Sequence, residues 1–267
     1  MEDLRKSTPI IMIDNSNGSR VYVIGVCHVS EDSRRAVKNL IRNVQPDLVI
    51  LELCEGRKAL LYEDEGTLRE GLAKEEFGWF GFTFDAVANM KKLYVILGTK
   101  FGILPGGEMK TAYDEAKKIP GTKVLLGDLP MELTEQKMEQ GFSFWDKLRF
   151  AFLILILSFL SIFMTAEQMM NLVMANSNDS EDEKGGLLLD GRDEFLTFSL
   201  QRAAETWILD EEEECWGPPT VVGVVGLAHL PGIVRNWGLI TEEDINQLLE
   251  SYKCDMENFD INKEREV

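Results

Sequence analysis

The chain has 267 residues, enough for one large domain or two small ones with a core that needs no disulfide staples. Hydrophobic residues make up 45% and charged residues 28%, the balance of a globular rather than a disordered chain. Acidic residues number 46 against 28 basic, a net charge of −18, which excludes the basic footprint of a nucleic-acid binder and sets the chain against anionic lipid headgroups. Cys27, Cys54, Cys215 and Cys254 include no CxxC pair, which argues against a zinc knuckle or a thioredoxin-like motif. The opening residues MEDLRKSTPI carry no apolar signal region, so an intracellular setting with reduced thiols is expected.

Residues 10–15 and 18–26 are predicted to form a hairpin that turns through Asn15, Ser16, Asn17 and Gly18. Its second strand is expected to end at Gly25, with Ser30 capping the following helix. Val37, Leu40, Ile41 and Val44 then fall at helical spacing on one buried face, and Pro46 stops the helix. Residues 48–53 are β-formers interrupted by Glu52. Together these segments read as a βαβ unit with parallel strands, placing Glu52 next to the strand that leads to His28. Residues 57–119 are predicted mostly helical, with an aromatic, glycine-punctuated segment at 77–84. Met109, Ala112, Tyr113 and Ala116 line one helix face.

Residues 123–127 form a further predicted strand, ending at Asp128. Residues 132–175 read as helical with a break near Gly141, and 176–186 as an acidic solvated loop. A helix is expected over 194–209 with Leu196, Leu200, Ala203, Ala204 and Trp207 inward. The acidic run 210–214 leads to a last strand at 220–225, then a polar helix after Thr241 and a charged tail expected to fray. Phe150 to Ala166 is 17 residues without a charge, the lower limit for a membrane span. A simple span there would separate His28 from His229 across a bilayer. A buried or interfacial helix is therefore expected.

The chain contains only two histidines, and each closes the same local pattern. Gly25-Val26-Cys27-His28 follows one β-rich run and Gly226-Leu227-Ala228-His229 follows another. Glycine permits unusual backbone angles or a close approach, and the histidine three residues on projects at the carboxyl end of a sheet, where open α/β proteins bind ligands. Glu52, Arg57 and Asp128 are predicted at the same edge. Two imidazoles and a carboxylate suit a divalent metal with a position left for water. The same residues also fit a plainer arrangement, with hydrogen-bonded histidines and a Glu52–Arg57 ion pair. Cys27 beside His28 raises thiol chemistry, but adjacent extended residues face opposite ways, so Cys27 reads as a small buried hydrophobe. Its pairing with distant His229 stays a minor alternative.

The segments VYVIGVCHVSEDSRRAV, QPDLVILELCEGR, GGEMKTAYDEAKKIPG with KVLLGD, GRDEFLTFSLQRAA and VVGVVGLAHLPGIVRNW resemble the TraB domain family. That family includes bacterial pheromone-shutdown proteins and eukaryotic TraB domain-containing proteins, and is similar to the Tiki metalloproteases and, more distantly, to erythromycin-esterase-like proteins. The resemblance covers 18–238, with 1–17 as an N-terminal segment, 239–267 as a C-terminal helix and tail, and helical insertions near 57–120 and 131–208. It implies an α/β fold with a central, mostly parallel sheet and GxxH motifs at strand carboxyl ends. It also implies a metal-dependent, peptidase-like hydrolase. His28, Glu52 and His229 would hold a divalent ion such as Mn, Co or Zn, with Glu52, Arg57 and Asp193 in catalytic roles and Arg192–Asp193 matching the RD of the family's later helix. Leu129 and Gly191 depart from the arginine and glutamate common at those places. Some eukaryotic members associate with mitochondrial outer membranes, which implies a cytosolic-face location and peripheral contact through 150–166. The alternative is a non-catalytic TraB-fold binding or tethering protein. The substrate expected of the enzyme is a peptide or small molecule.

Overall fold

The computed structural model describes residues 8–27, 31–63, 67, 106–141, 143–160, 163, 165, 168, 183–206, 208–210, 215–251 and 267. His28, Ser30, Trp207 and the aromatic segment at 77–84 lie outside the described residues, as do residues 176–182 of the expected acidic loop. The chain divides into two compact units: Met1–Tyr62, Gly106–Met131 and Leu189–Val267 in the first, Glu63–Pro105 and Glu132–Leu188 in the second.

The first unit carries a five-stranded sheet. Strand β1 (Ile10–Asp14) pairs antiparallel with β2 (Arg20–Val26), forming the expected hairpin, though β2 continues past Gly25. Helix α1 (Glu31–Val44) buries Val37, Leu40 and Ile41 and leads to β3 (Leu48–Leu51). After the short α2 (Ala59–Tyr62) come α3 (Gly107–Ala116), with Met109, Ala112 and Ala116 buried as expected, and β4 (Lys123–Leu126). Helix α6 (Glu183–Glu205) precedes a small hairpin of β5 (Ile208–Asp210) and β6 (Cys215–Gly217). Strand β7 (Thr220–Gly226), helix α7 (Leu230–Asn236) and helix α8 (Glu242–Ser251) follow.

The sheet order is β1-β2-β7-β3-β4, and β2, β7, β3 and β4 all run parallel. This is a mostly parallel α/β sheet, as expected, but one neighbour relation is corrected. Strand β3 does not lie beside β2; β7, nearly two hundred residues downstream, sits between them. Glu52 therefore borders the strand of His229 rather than that of His28. Both strand faces are apolar because both are covered. Ile24, Val26, Val49, Leu51, Val124, Leu126, Val222 and Val224 meet α1 and α3 on one side. Val21, Val23, Leu48, Ile50, Val221 and Val225 meet Leu196, Leu200, Ala203 and Ala204 of α6 and Leu230 and Ile233 of α7 on the other. The alternation along each strand is the period-two pattern of the sequence.

Helix α6 begins about three turns before the expected Glu194, reaching back into the segment read as an acidic loop. Gly185, Gly186 and Gly191 do not stop it. In the second unit, α4 (Met131–Gly141) and α5 (Phe144–Leu160) break near Gly141 as expected. Ser143 and Asp146 cap α5 reciprocally: the Ser143 N–H donates to Asp146 Oδ2 at 3.1 Å and the Asp146 N–H to Ser143 Oγ at 3.3 Å. Helix α5 is not fully buried. It covers Ala151 but leaves Trp145, Phe152 and Ile156 exposed. Among the described residues, no helix is long and apolar enough to cross a membrane. Residues 252–266 of the expected charged tail lie outside the described residues, and the N–H of Val267 bonds the Val124 carbonyl at 3.0 Å beside β4.

Candidate functional site

Four parallel strands deliver their carboxyl ends to one edge, and polar groups gather just beyond them. Glu52 follows β3, Asp128 lies two residues past β4, and His229 ends a short 3-10 turn after β7. Arg192 and Asp193 come from α6 across that edge. The N–H groups of Glu52 and Asp128 still bond the carbonyls of Val224 (3.0 Å) and Leu53 (3.1 Å), so each carboxylate hangs from an ordered backbone.

The side chains form a connected network. His229 Nδ1 lies 2.5 Å from Asp193 Oδ1, and Nε2 lies 3.1 Å from Glu52 Oε1. Arg192 Nη2 donates to Glu52 Oε1 at 2.5 Å and to Asp128 Oδ2 at 2.7 Å, while its Nε donates to Asp128 Oδ1 at 3.1 Å. Arg57 also donates to Asp128 Oδ2, and the Gly226 N–H donates to Glu52 Oε2. Glu52, Asp128, Asp193 and His229 are buried, whereas the side chains of Arg192 and Arg57 keep 19% and 32% of their exposure, so the carboxylates form the floor and the guanidiniums the rim.

Burial opposes a charge on His229, but Glu52 and Asp193 outweigh it and push its pKa up to about 9. Asp193 is raised chiefly by its burial, against the pull of His229. Burial also opposes the Arg192 charge, yet Asp128 and Glu52 hold it firmly protonated. Three carboxylates thus face two guanidiniums and one imidazolium.

Neither GxxH glycine uses unusual backbone angles, and Gly25 serves a close approach. Neither has positive φ, and Gly226 sits at φ −60 and ψ 143. A Cβ on Gly25 would land on the Leu230 side chain, so the first motif is shaped to receive the helix that follows the second. Val26 and Gly226 are register partners, and both motifs leave the sheet at the same edge. Gly232 plays a similar part, since a Cβ there would overlap the Asp193 carboxylate.

Of the residues expected at a site, Glu52, Arg57, Asp193 and His229 are brought together, and His28 lies outside the described residues. The Glu52–Arg57 pair is corrected: Arg57 binds Asp128, and Arg192 takes Glu52. Cys27 is half-buried rather than buried, and the His229 nitrogens face Asp193 and Glu52, which leaves the thiol pairing without support. Sequence reasoning placed Asp128 at the edge without a role and took Arg192 only as a motif match. The available signal was an arginine inside the apolar face of LLLDGRDEFLTFSL. Leu129 is buried, and its N–H holds Asp128 Oδ1 at 2.8 Å.

The donor set bears on a metal directly. A histidine whose Nδ1 is held by a buried carboxylate is oriented as metal-ligating histidines are, and its Nε2 points at a second ligand type, Glu52. Two of the ligand types a divalent ion takes are thus side by side. Among the described residues, no three His, Cys, Asp or Glu side chains converge on one metal position.

A parallel sheet whose carboxyl edge carries histidine, buried carboxylates and arginines defines an α/β protein with a polar sheet-edge site. The chain belongs to the TraB domain family. It is 34% identical over 250 residues to the human TraB domain-containing protein, 33% over 250 to the mouse protein and 34% over 252 to the bovine one. Each match covers 87% of this chain and 66% of the relative, so the chain spans just under two thirds of their length. No family model matches the chain.

Proposed function

We propose that this TraB-family chain is a metal-dependent hydrolase of peptides or related small molecules, with His229, Glu52 and His28 as the ligand set. The observation that supports it is His229, fixed by Asp193 at 2.5 Å on one nitrogen and facing Glu52 at 3.1 Å on the other. A divalent ion there would supply an activated water and polarise the substrate carbonyl. The chain's own residues do the rest. Asp193 sets the ring orientation of His229, and the Gly226 N–H anchors Glu52 by Oε2. The Arg192 and Gly226 donors lower the basicity of Glu52, which favours a ligand role over that of a general base. The partly exposed Arg57 and Arg192 face the developing negative charge of an attacked carbonyl. His229 must release its proton to bind an ion. Protein purified without chelator should carry a divalent metal, and Mn, Co or Zn should raise its melting temperature. An empty protein with an unmoved melting temperature contradicts the proposal.

A second reading is a non-catalytic TraB scaffold that binds or tethers. It is favoured by the engagement of both Glu52 oxygens with protein donors and by the exposed Trp145, Phe152 and Ile156 on α5. Peripheral contact through 150–166 and a place on a cytosolic membrane face, that of the mitochondrial outer membrane included, belong to this reading. The double change His28→Ala with His229→Ala separates the two. Cellular function that survives it in a folded protein supports the scaffold.

A further inference from the structure

We propose that Arg192 is a resident counter-ion that stands where a divalent cation would be held, so that metal loading requires its guanidinium to withdraw from Glu52. The inference rests on the metal-site reading above. One nitrogen, Arg192 Nη2, bridges Glu52 Oε1 at 2.5 Å and Asp128 Oδ2 at 2.7 Å, and the same Glu52 oxygen lies 3.1 Å from His229 Nε2. The imidazole and the guanidinium therefore converge on one Glu52 oxygen, so the carboxylate an ion would need already holds a cation that the protein itself provides. A dication at hydrogen-bond distance from a guanidinium is repelled by it, and the low-dielectric surroundings of buried Glu52 and Asp128 strengthen that repulsion.

The geometry also says which bond gives way. Nε and Nη2 of Arg192 already make a two-point fork onto Asp128 Oδ1 and Oδ2, the pairing that a planar guanidinium prefers. The contact to Glu52 is additional. Releasing it leaves Arg192 neutralised by Asp128, to which Arg57 also donates. Asp128 is then the positioning residue that retains Arg192, and Glu52 is the ligand that exchanges one cation for another.

Calorimetric titration of Co2+ into the full chain at mildly alkaline pH tests this with wild type and Arg192→Gln. The variant should bind at least about tenfold more tightly, since the competing charge is gone. Equal or weaker binding by a folded variant overturns the proposal and makes Arg192 a supporter of the ion. Should Arg192→Gln be unfolded without metal, Co2+ should restore its circular dichroism, because the ion replaces the missing cation; failure to refold likewise overturns the proposal. Absence of binding in both proteins removes the metal-site reading itself, a result distinct from equal affinities.

Discussion

Glu115 and Glu52 are both buried carboxylates neutralised by cations, and their surroundings could hardly differ more. Glu115 on α3 meets Arg42 of α1 at 2.6 Å and Lys118 at 2.7 Å, but those cations keep 52% and 59% of their exposure and stand in water. Glu52 meets Arg192, His229 and the Gly226 N–H in a cluster drawn from β3, α6 and the turn after β7. The first arrangement ties two neighbouring helices. The second joins Glu52 to partners far away in the chain, the Gly226 N–H being 174 residues on, at a sheet edge, which is where α/β proteins place chemistry. Burial without solvated partners is costly, and its concentration at one edge is what motivates the proposed site there.

The largest expected contrast is in the loss of a cation. Arg192→Gln removes the cation shared by buried Glu52 and Asp128, and should cost about 3–5 kcal/mol in denaturant unfolding without metal. The two regions should also respond oppositely to pH. The folded pKa of His229, about 9, lies above its unfolded value near 6.5, so its contribution is fully present below about 6.5 and is lost as pH rises through 9, on the order of 3 kcal/mol. Burial pushes Glu115 up, but Arg42 and Lys118 hold it below the usual range, so its contribution is lost as pH falls through the acid range. Melting curves from acid to alkaline pH should show both flanks, and His229→Asn should flatten only the alkaline one. An alkaline flank that survives His229→Asn assigns that loss elsewhere.

Gly232→Ala should follow, at about 1–3 kcal/mol, because a methyl group there must displace the Asp193 carboxylate from His229. The nitrogen shifts of His229 should move with it; unchanged shifts would show that Asp193 does not depend on Gly232. Smallest of all should be Arg42→Ala, at about 1 kcal/mol or less, since its charge is solvated and Lys118 remains. A large loss there would erase the contrast between the two clusters.

Much of this was legible in the residues. The strands, the buried faces of α1 and α3, and the positions of Glu52 and His229 follow from local periodicity and from charges set inside apolar runs. The place of β7 was not, because a βαβ pattern specifies that β2 and β3 run parallel but not what lies between them. Arg192 was hidden for a related reason: its partners are 64 and 140 residues away, and no spacing rule reaches so far. Helix α6 extended through Gly185 and Gly186 because apolar neighbours such as Phe195 and Leu196 anchor its later turns, and propensity yields to packing. Strands β5 and β6 pair on either side of the acidic run, with Asp210 opposite Cys215, where a plain linker was expected.

The central claim is that Glu52 and His229 form one divalent-metal site at the sheet edge. Titration of Zn2+ into wild type and Glu52→Gln, followed by calorimetry on folded protein, addresses it most directly. One ion bound per wild-type chain and none in the variant is the expected result. Identical isotherms, or no binding in either, would contradict the claim.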